Sequence, residues 1–202
     1  WMTAVDEHRP GYRGQLSKKV PTIAEILKAN GYSTYMSGKW HMSVDGAWKS
    51  VNSQPNGSFP LERGFDKFFG IISGAGSHYD PRSLAEDNEY VPPREGFYST
   101  TDFTDYAVKR IEDHKGENPF FLYLSYTAAH WPMQAPAEAI AKYKGQYDKG
   151  WDEMRKARFE RMKKMGLANP DWEMTPRDSF VQAWSEDIPD KAWELANMET
   201  YA

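Results

Sequence analysis

Between residues 21 and 41 a helical periodicity stops and a strand-like one begins, and this switch limits the possible folds more than any other stretch. Thr22 followed by Glu25 has the form of a capping box, and Ile23, Ile26 and Leu27 recur at the spacing of one helix face. Gly31 suits the left-handed residue that ends such a helix. Thr34 to Ser37 read as a short strand of β-branched and aromatic residues, and Gly38 can break it and bring backbone close to a ligand. If the chain stays extended beyond Gly38, Lys39 and His41 share a side, because side chains alternate along a strand. A fixed positive charge beside a titratable ring suits an anionic ester: one group holds charge, the other moves a proton.

A second pair follows the same plan. The spacing predicts a helix over 101–115, capped by Thr101, with Phe103, Ala107 and Ile111 on one face and Gly116 and Pro119 as stops. His114 falls in its polar last turn, where an imidazolium complements the helix dipole. Phe120 to Leu124 is a continuous apolar run, which predicts a strand buried on both faces, as in a parallel sheet. Ala128-Ala129-His130-Trp131-Pro132 comes after it. Two such pairs predict an α/β fold with a mainly parallel sheet flanked by helices. Ligands of open α/β sheets sit outside the carboxyl ends of the strands, so Lys39, His41 and His130 are expected to converge on one crevice.

The remaining segments read more blandly. Residues 1–20 and 43–60 are expected to be loops, with His8 a solvated loop histidine, and apolar content returns over 63–70. Residues 73–99 are loop-like, and His78 within them is an ordinary loop histidine or, as the alternative, a substrate-loop residue. Pro136 can open a helix carrying Ala137, Ile140, Ala141 and Tyr143. A longer helix over 149–165 carries Trp151, Met154, Phe159, Met162 and Met165 as core contacts. It holds seven Lys or Arg against three Asp or Glu, expected as a solvated face, with a rim attracting an anionic polymer as the alternative. Residues 166–189 are irregular, and a last helix begins near Asp190 as its cap.

Composition excludes several classes. A formal net charge of −4 gives no sign of a global nucleic-acid binder, and no apolar run approaches the length of a membrane span. Aromatics at 15% argue against disorder, and zero Cys excludes disulfides and thiolate ligands. The first residues lack the basic-then-apolar pattern of a signal peptide. A start on Trp1 and a helical pattern running to Ala202 lead us to expect a piece of a longer protein.

The stretch Gly31-Tyr32-x-Thr34-x-x-x-Gly38-Lys39-Trp40-His41 resembles the second signature of the type I sulfatases at every fixed position. His130-x-Pro132 after an apolar strand, Gly64-Phe65-Asp66-x-Phe68-x-Gly70 and, weakly, Arg9-Pro10-Gly11-Tyr12 resemble further segments of that family. Ala135-Pro136 through Asp152, with Lys142-Tyr143 and Gly145-x-Tyr147-Asp148, looks like its arylsulfatase subgroup. The resemblance covers about residue 9 to 202 and implies an alkaline-phosphatase-like α/β fold and hydrolysis of sulfuric esters. In that family a formylglycine hydrate attacks sulfur and a divalent metal, usually calcium, clamps the sulfate. Carried over, Lys39 would bind the sulfate and the formylglycine oxygen. His41 would be the base that expels sulfate, and His130 would contact the ester and protonate the leaving alkoxide. Trp131 and His78 are further substrate-binding candidates. The substrate would be a sulfated small molecule or sulfated carbohydrate, and the location periplasmic or secreted; oligomeric state stays open.

The departures are specific. The Cys/Ser-x-Pro/Ala-x-Arg motif that yields formylglycine, the acid pair of an N-terminal strand, and the downstream Asp-Asn pair and lysine all have no counterpart here. The chain is therefore expected to be the central part of one catalytic domain, without metal ligands and inactive alone. A degenerate domain that binds sulfated glycans, or a related phosphatase or phosphodiesterase, are the alternatives. The intact Lys39-Trp40-His41 disfavours both, since the sister enzymes put metal ligands at those places.

Overall fold

The structure, a computed structural model, describes residues 6–9, 12–13, 15–43, 57–185 and 187–202; the Pro10-Gly11 pair and most of the expected 43–60 loop lie outside them. The chain forms two compact units, Trp1–Pro132 and Met133–Ala202.

Among the described residues the first unit starts with a strand pair where a loop was expected: β1 (Asp6–Arg9) pairs antiparallel with β2 (Tyr12–Arg13). The expected capping box then starts α1 (Ile23–Ala29): Thr22 N donates to Glu25 Oε2 at 2.6 Å, and Glu25 N donates to Thr22 Oγ1 at 3.1 Å. Gly31 takes the left-handed conformation predicted for it, with φ +85°. Three strands run parallel, with β3 (Ser33–Lys39) between β4 (Lys67–Ile71) and β7 (Phe120–Ser125). A hairpin of β5 (Leu84–Glu86) and β6 (Glu89–Tyr90) adds antiparallel strands, giving the order β6-β5-β4-β3-β7. The sheet is thus mixed, parallel through the three long strands only. The hairpin lies inside the stretch expected to be loop. Its turn residues Asp87 and Asn88 both have positive φ, which two-residue hairpins need and Asp and Asn tolerate.

Strand alternation sorts the core into two layers. Met36 and Phe68 are paired in register and pack with Ala24 of α1, Trp40 and Phe65 on one face. Ser37 and Phe69, the next pair, face α2 (Ser99–Asp113): Ser37 Oγ donates to Phe103 O at 2.7 Å, and the rings of Phe69 and Phe103 meet edge-on. The helix starts earlier than predicted. Asp102, not Thr101, accepts from the Tyr98 amide (2.9 Å) at its entry, because the carboxylate reaches back where the threonine does not. His114 caps the other end, its ring between the Tyr35 hydroxyl (3.0 Å) and Asn118 O (2.8 Å). β7 departs from its expected double burial, with Phe120 and Tyr123 exposed by 40% and 46%. It pairs only with β3 among the described strands, so only Phe121 and Leu124 reach the two core layers.

Gly38 does not break its strand. It stays within β3 at φ +114°, and a Cβ there would collide with the Ser125 carbonyl of β7, so close passage of neighbouring backbone is what requires glycine. Upstream, Thr34 and Asp66 lock β3 to the segment before β4: Asp66 Oδ2 accepts from Thr34 N at 2.8 Å and Thr34 Oγ1 lies 3.0 Å away.

Arg63 is the largest of the almost completely buried side chains among the described residues, 2% exposed. Its guanidinium donates to Glu25 Oε1 at 3.1 Å and to the carbonyls of Leu16 (3.2 Å), Ser17 (3.3 Å) and Val20 (3.1 Å). Burial pulls the Glu25 carboxyl upward, but hydrogen bonds from Arg63 and Thr22 outweigh it and hold the group below its ordinary value. Arg63→Met should therefore leave Glu25 Oε1 and three carbonyls without their donor, and we expect it to cost about 3 kcal/mol in urea unfolding. A loss under about 1 kcal/mol would mean that water takes over the vacated carbonyls.

In the second unit, α3 (Ala137–Ala141) follows Pro136, and α4 (Gly150–Lys164) and α5 (Lys191–Tyr201) flank the irregular segment, all near their expected bounds. The expected core role of the α4 apolar positions does not hold along its length. Met162 and Met165 are 37% and 63% exposed, and Gly150 alone in the helix is buried. Asp190 precedes α5 in a left-handed conformation and its side chain makes no cap. No helix among the described residues is long and apolar enough to cross a membrane.

Candidate active site

Because β3, β4 and β7 are parallel and in register, with Lys39 opposite Ile71 and Gly38 opposite Ser125, their carboxyl ends share one edge of the sheet. Lys39 ends β3 there, and the loop carrying His130 leaves β7 there. The pairing continues past the strand ends, with Trp40 N donating to Ile71 O (2.9 Å) and His41 N to Ile72 O (3.1 Å). Trp40 anchors this stretch: it is 7% exposed, and its Nε1 donates to Ser43 Oγ and Ser58 O, both at 2.9 Å. The signature tryptophan is thus a core residue that fixes its two polar neighbours.

Lys39 is half-buried, and burial holds its ammonium below the ordinary lysine value. No carboxylate among the described residues pairs with it. His41 is exposed, but simple alternation does not set its direction. Its φ is +53°, and its ring lies over Gly74 so closely that a Cβ there would collide with it. Gly74 belongs to the loop after β4, fixed by Ser73 and Ser83: their hydroxyls are 2.6 Å apart, and Ser73 Oγ also donates to Ala75 O at 3.1 Å.

His130 sits in a tight turn in which its amide donates to Thr127 O at 2.9 Å. Its Nδ1 is 2.8 Å from Trp131 O. A carbonyl only accepts, so Nδ1 carries hydrogen and Nε2 is left to take and give a proton. Trp131 is 57% exposed beside it. The expectation for His78 needs correcting. It does lie in a loop, but its side chain is 1% exposed, so it is a buried loop histidine rather than an ordinary surface one. It lies between Ser99 Oγ (3.1 Å from Nδ1) and the His130 carbonyl (3.3 Å from Nε2). Sequence reasoning missed Ser99, Gly74 and the buried Thr127 hydroxyl, which has no hydrogen-bond partner among the described residues. Of these, only Gly74, in a Gly-rich run, carried a signal.

No three His, Asp or Glu side chains come together among the described residues to hold a metal ion. The donors present among the described residues therefore do not by themselves fit a calcium site. In the second unit a cleft of about 1000 Å³ is lined by Tyr143, Tyr147, Trp151, Arg155, Arg158 and Tyr201 among others, and none of the predicted site residues borders it.

Comparison with known proteins is consistent along the chain. The sulfatase family model matches residues 2–202. An uncharacterized sulfatase of Schizosaccharomyces pombe is 32% identical over 96% of this chain, which covers 36% of that protein. An arylsulfatase of Klebsiella aerogenes is 32% identical over 96% of this chain, covering 42% of its length. The chain thus spans well under half of both relatives. A crystal structure of Ps i-CgsB in complex with k-i-k-neocarrahexaose shares the fold, with a TM-score of 0.56 and 23% identity over 70% of this chain and 33% of that one.

Proposed function

The chain belongs to the sulfatase family, and we propose that the protein it represents hydrolyses sulfuric esters, with Lys39, His41 and His130 as this chain's part of the active site. The observation that carries this is Lys39: a half-buried ammonium with no carboxylate partner among the described residues, on the sheet edge from which the His130 loop departs. Such a cation is complementary to an anion supplied from outside.

Each residue has a share in keeping with its chemistry. Lys39 Nζ holds the charge of the ester sulfate. His130 donates the Nε2 proton to the departing oxygen, while Nδ1–H···O=C to Trp131 keeps the ring aimed. His41, exposed over Gly74, takes the proton whose removal releases sulfate. The exposed indole of Trp131 supports a substrate with a ring to stack, either a sulfated small molecule or a sulfated carbohydrate. Formylglycine and calcium enter only as groups that other segments of one catalytic domain supply, and a periplasmic or secreted location belongs to the same reading.

Assay of the full-length protein with an aryl sulfate tests this directly, and turnover is expected. The 202-residue chain alone should show none, since it has no Cys and no matching Ser motif to supply the nucleophile. A full-length protein that binds sulfate at Lys39 without turnover would be a binding module instead.

A further inference from the structure

Resting on the role proposed for His130, we propose that His78 is a positioning residue: its buried ring ties the His130 turn to the first turn of α2 and so sets the direction of the His130 imidazole.

The hydrogen-bond directions follow from the partners. The His130 carbonyl can only accept, so Nε2 of His78 carries a hydrogen and donates across 3.3 Å, between residues 52 positions apart. In the neutral ring Nδ1 then accepts from the Ser99 hydroxyl at 3.1 Å. Ser99 is 2% exposed, and its amide donates to the His78 carbonyl at 2.8 Å, so histidine and serine are joined through both backbone and side chain. Ser99 opens α2, which packs on β3, β4 and β7. The ring of Tyr98 lies against His78, with centroids 6.4 Å apart. His78 is therefore tied to the helix that packs on the sheet.

Within the His130 turn, His130 N donates to Thr127 O and Nδ1 to Trp131 O. These bonds shape the turn but do not say where it points. The His78 bond takes hold of the 130–131 peptide unit, next to the carbonyl that fixes the His130 ring. Losing it frees that peptide to rotate, and the Nδ1–H···O=C bond that fixes the tautomer goes with it. An imidazole displaced by about an ångström loses much of its worth as a proton donor.

The test uses the full-length protein with His78→Leu and His78→Gln. Leucine fills the cavity without a donor; the glutamine amide can reach the place of Nε2 and donate. His78→Leu should lower kcat roughly tenfold or more for esters with basic leaving groups, leaving KM and activated aryl esters near wild type. His78→Gln should restore most of that loss. The second readout is the nitrogen-detected tautomer of the His130 ring by NMR: Nδ1–H in the parent and in His78→Gln, a mixture in His78→Leu. It does not depend on turnover, so it decides the matter even in a protein without sulfatase activity or a less stable variant. An unchanged Nδ1–H tautomer in His78→Leu overturns the proposal. So does an equal fall in kcat across all leaving groups that glutamine fails to rescue, which would mark His78 as packing alone.

Discussion

Replacing His130 with alanine in the full-length protein should slow hydrolysis of alkyl sulfates by roughly a hundred- to ten-thousand-fold, the range over which a positioned general acid acts. Esters of acidic phenols should lose far less. The asymmetry follows from where charge collects as the S–O bond breaks: a basic alkoxide leaves poorly unless protonated, while an acidic phenolate departs unaided. The geometry supplies the donor. Nδ1 of His130 is committed to the Trp131 carbonyl at 2.8 Å, so a protonated ring presents its other N–H outward. Plotting rates against leaving-group pKa for parent and variant checks this. A steeper slope for His130→Ala is expected, and parallel lines would remove His130 from the acid role.

How much of this could be read in the sequence depends on how local each cause is. The capping box of Thr22 and Glu25 and the left-handed Gly31 involve neighbours in the chain, and both are as expected. Gly38 looked like a strand breaker because its partner, the Ser125 carbonyl, belongs to another strand and leaves no local mark. His78 and the His130 carbonyl are likewise joined across 52 positions, which a single sequence cannot pair. The β5–β6 hairpin was partly legible: Asp87-Asn88 is a turn signal, masked by Pro92 and Pro93 close behind. The signature itself divides on inspection. Thr34 serves the sheet through Asp66, Trp40 serves the core, Gly38 makes room for β7, and only Lys39 and His41 are left for chemistry. A motif read as one functional block is thus mostly the scaffold that holds two polar side chains at a strand end.

Lys39→Met should show a large loss of activity together with a gain in stability. Methionine keeps an unbranched stem of similar length and removes only the charge. A preorganised cation in a partly dry site contributes on the order of a hundred- to thousand-fold to turnover, so kcat/KM should fall by that amount. Lys39→Arg should recover little, because a planar guanidinium does not fit where a half-buried ammonium sits. Stability moves the other way. Burial disfavours the charged form and lowers the folded-state pKa below the ordinary 10.5, with no carboxylate among the described residues to offset it. Between the lowered value and 10.5 the unfolded chain holds more protons, so the parent gains stability as pH rises through that window. Lys39→Met has no such proton to lose, and its thermal midpoint should exceed the parent's at neutral pH, the gap narrowing in alkali. Sulfate binding by the parent should weaken at a lower pH than an ordinary lysine would give, and the variant should bind none. Titration calorimetry and thermal unfolding across a pH series read both effects. A variant that is less stable than the parent at neutral pH would show that Lys39 already has a stabilising partner and is not an open anion site.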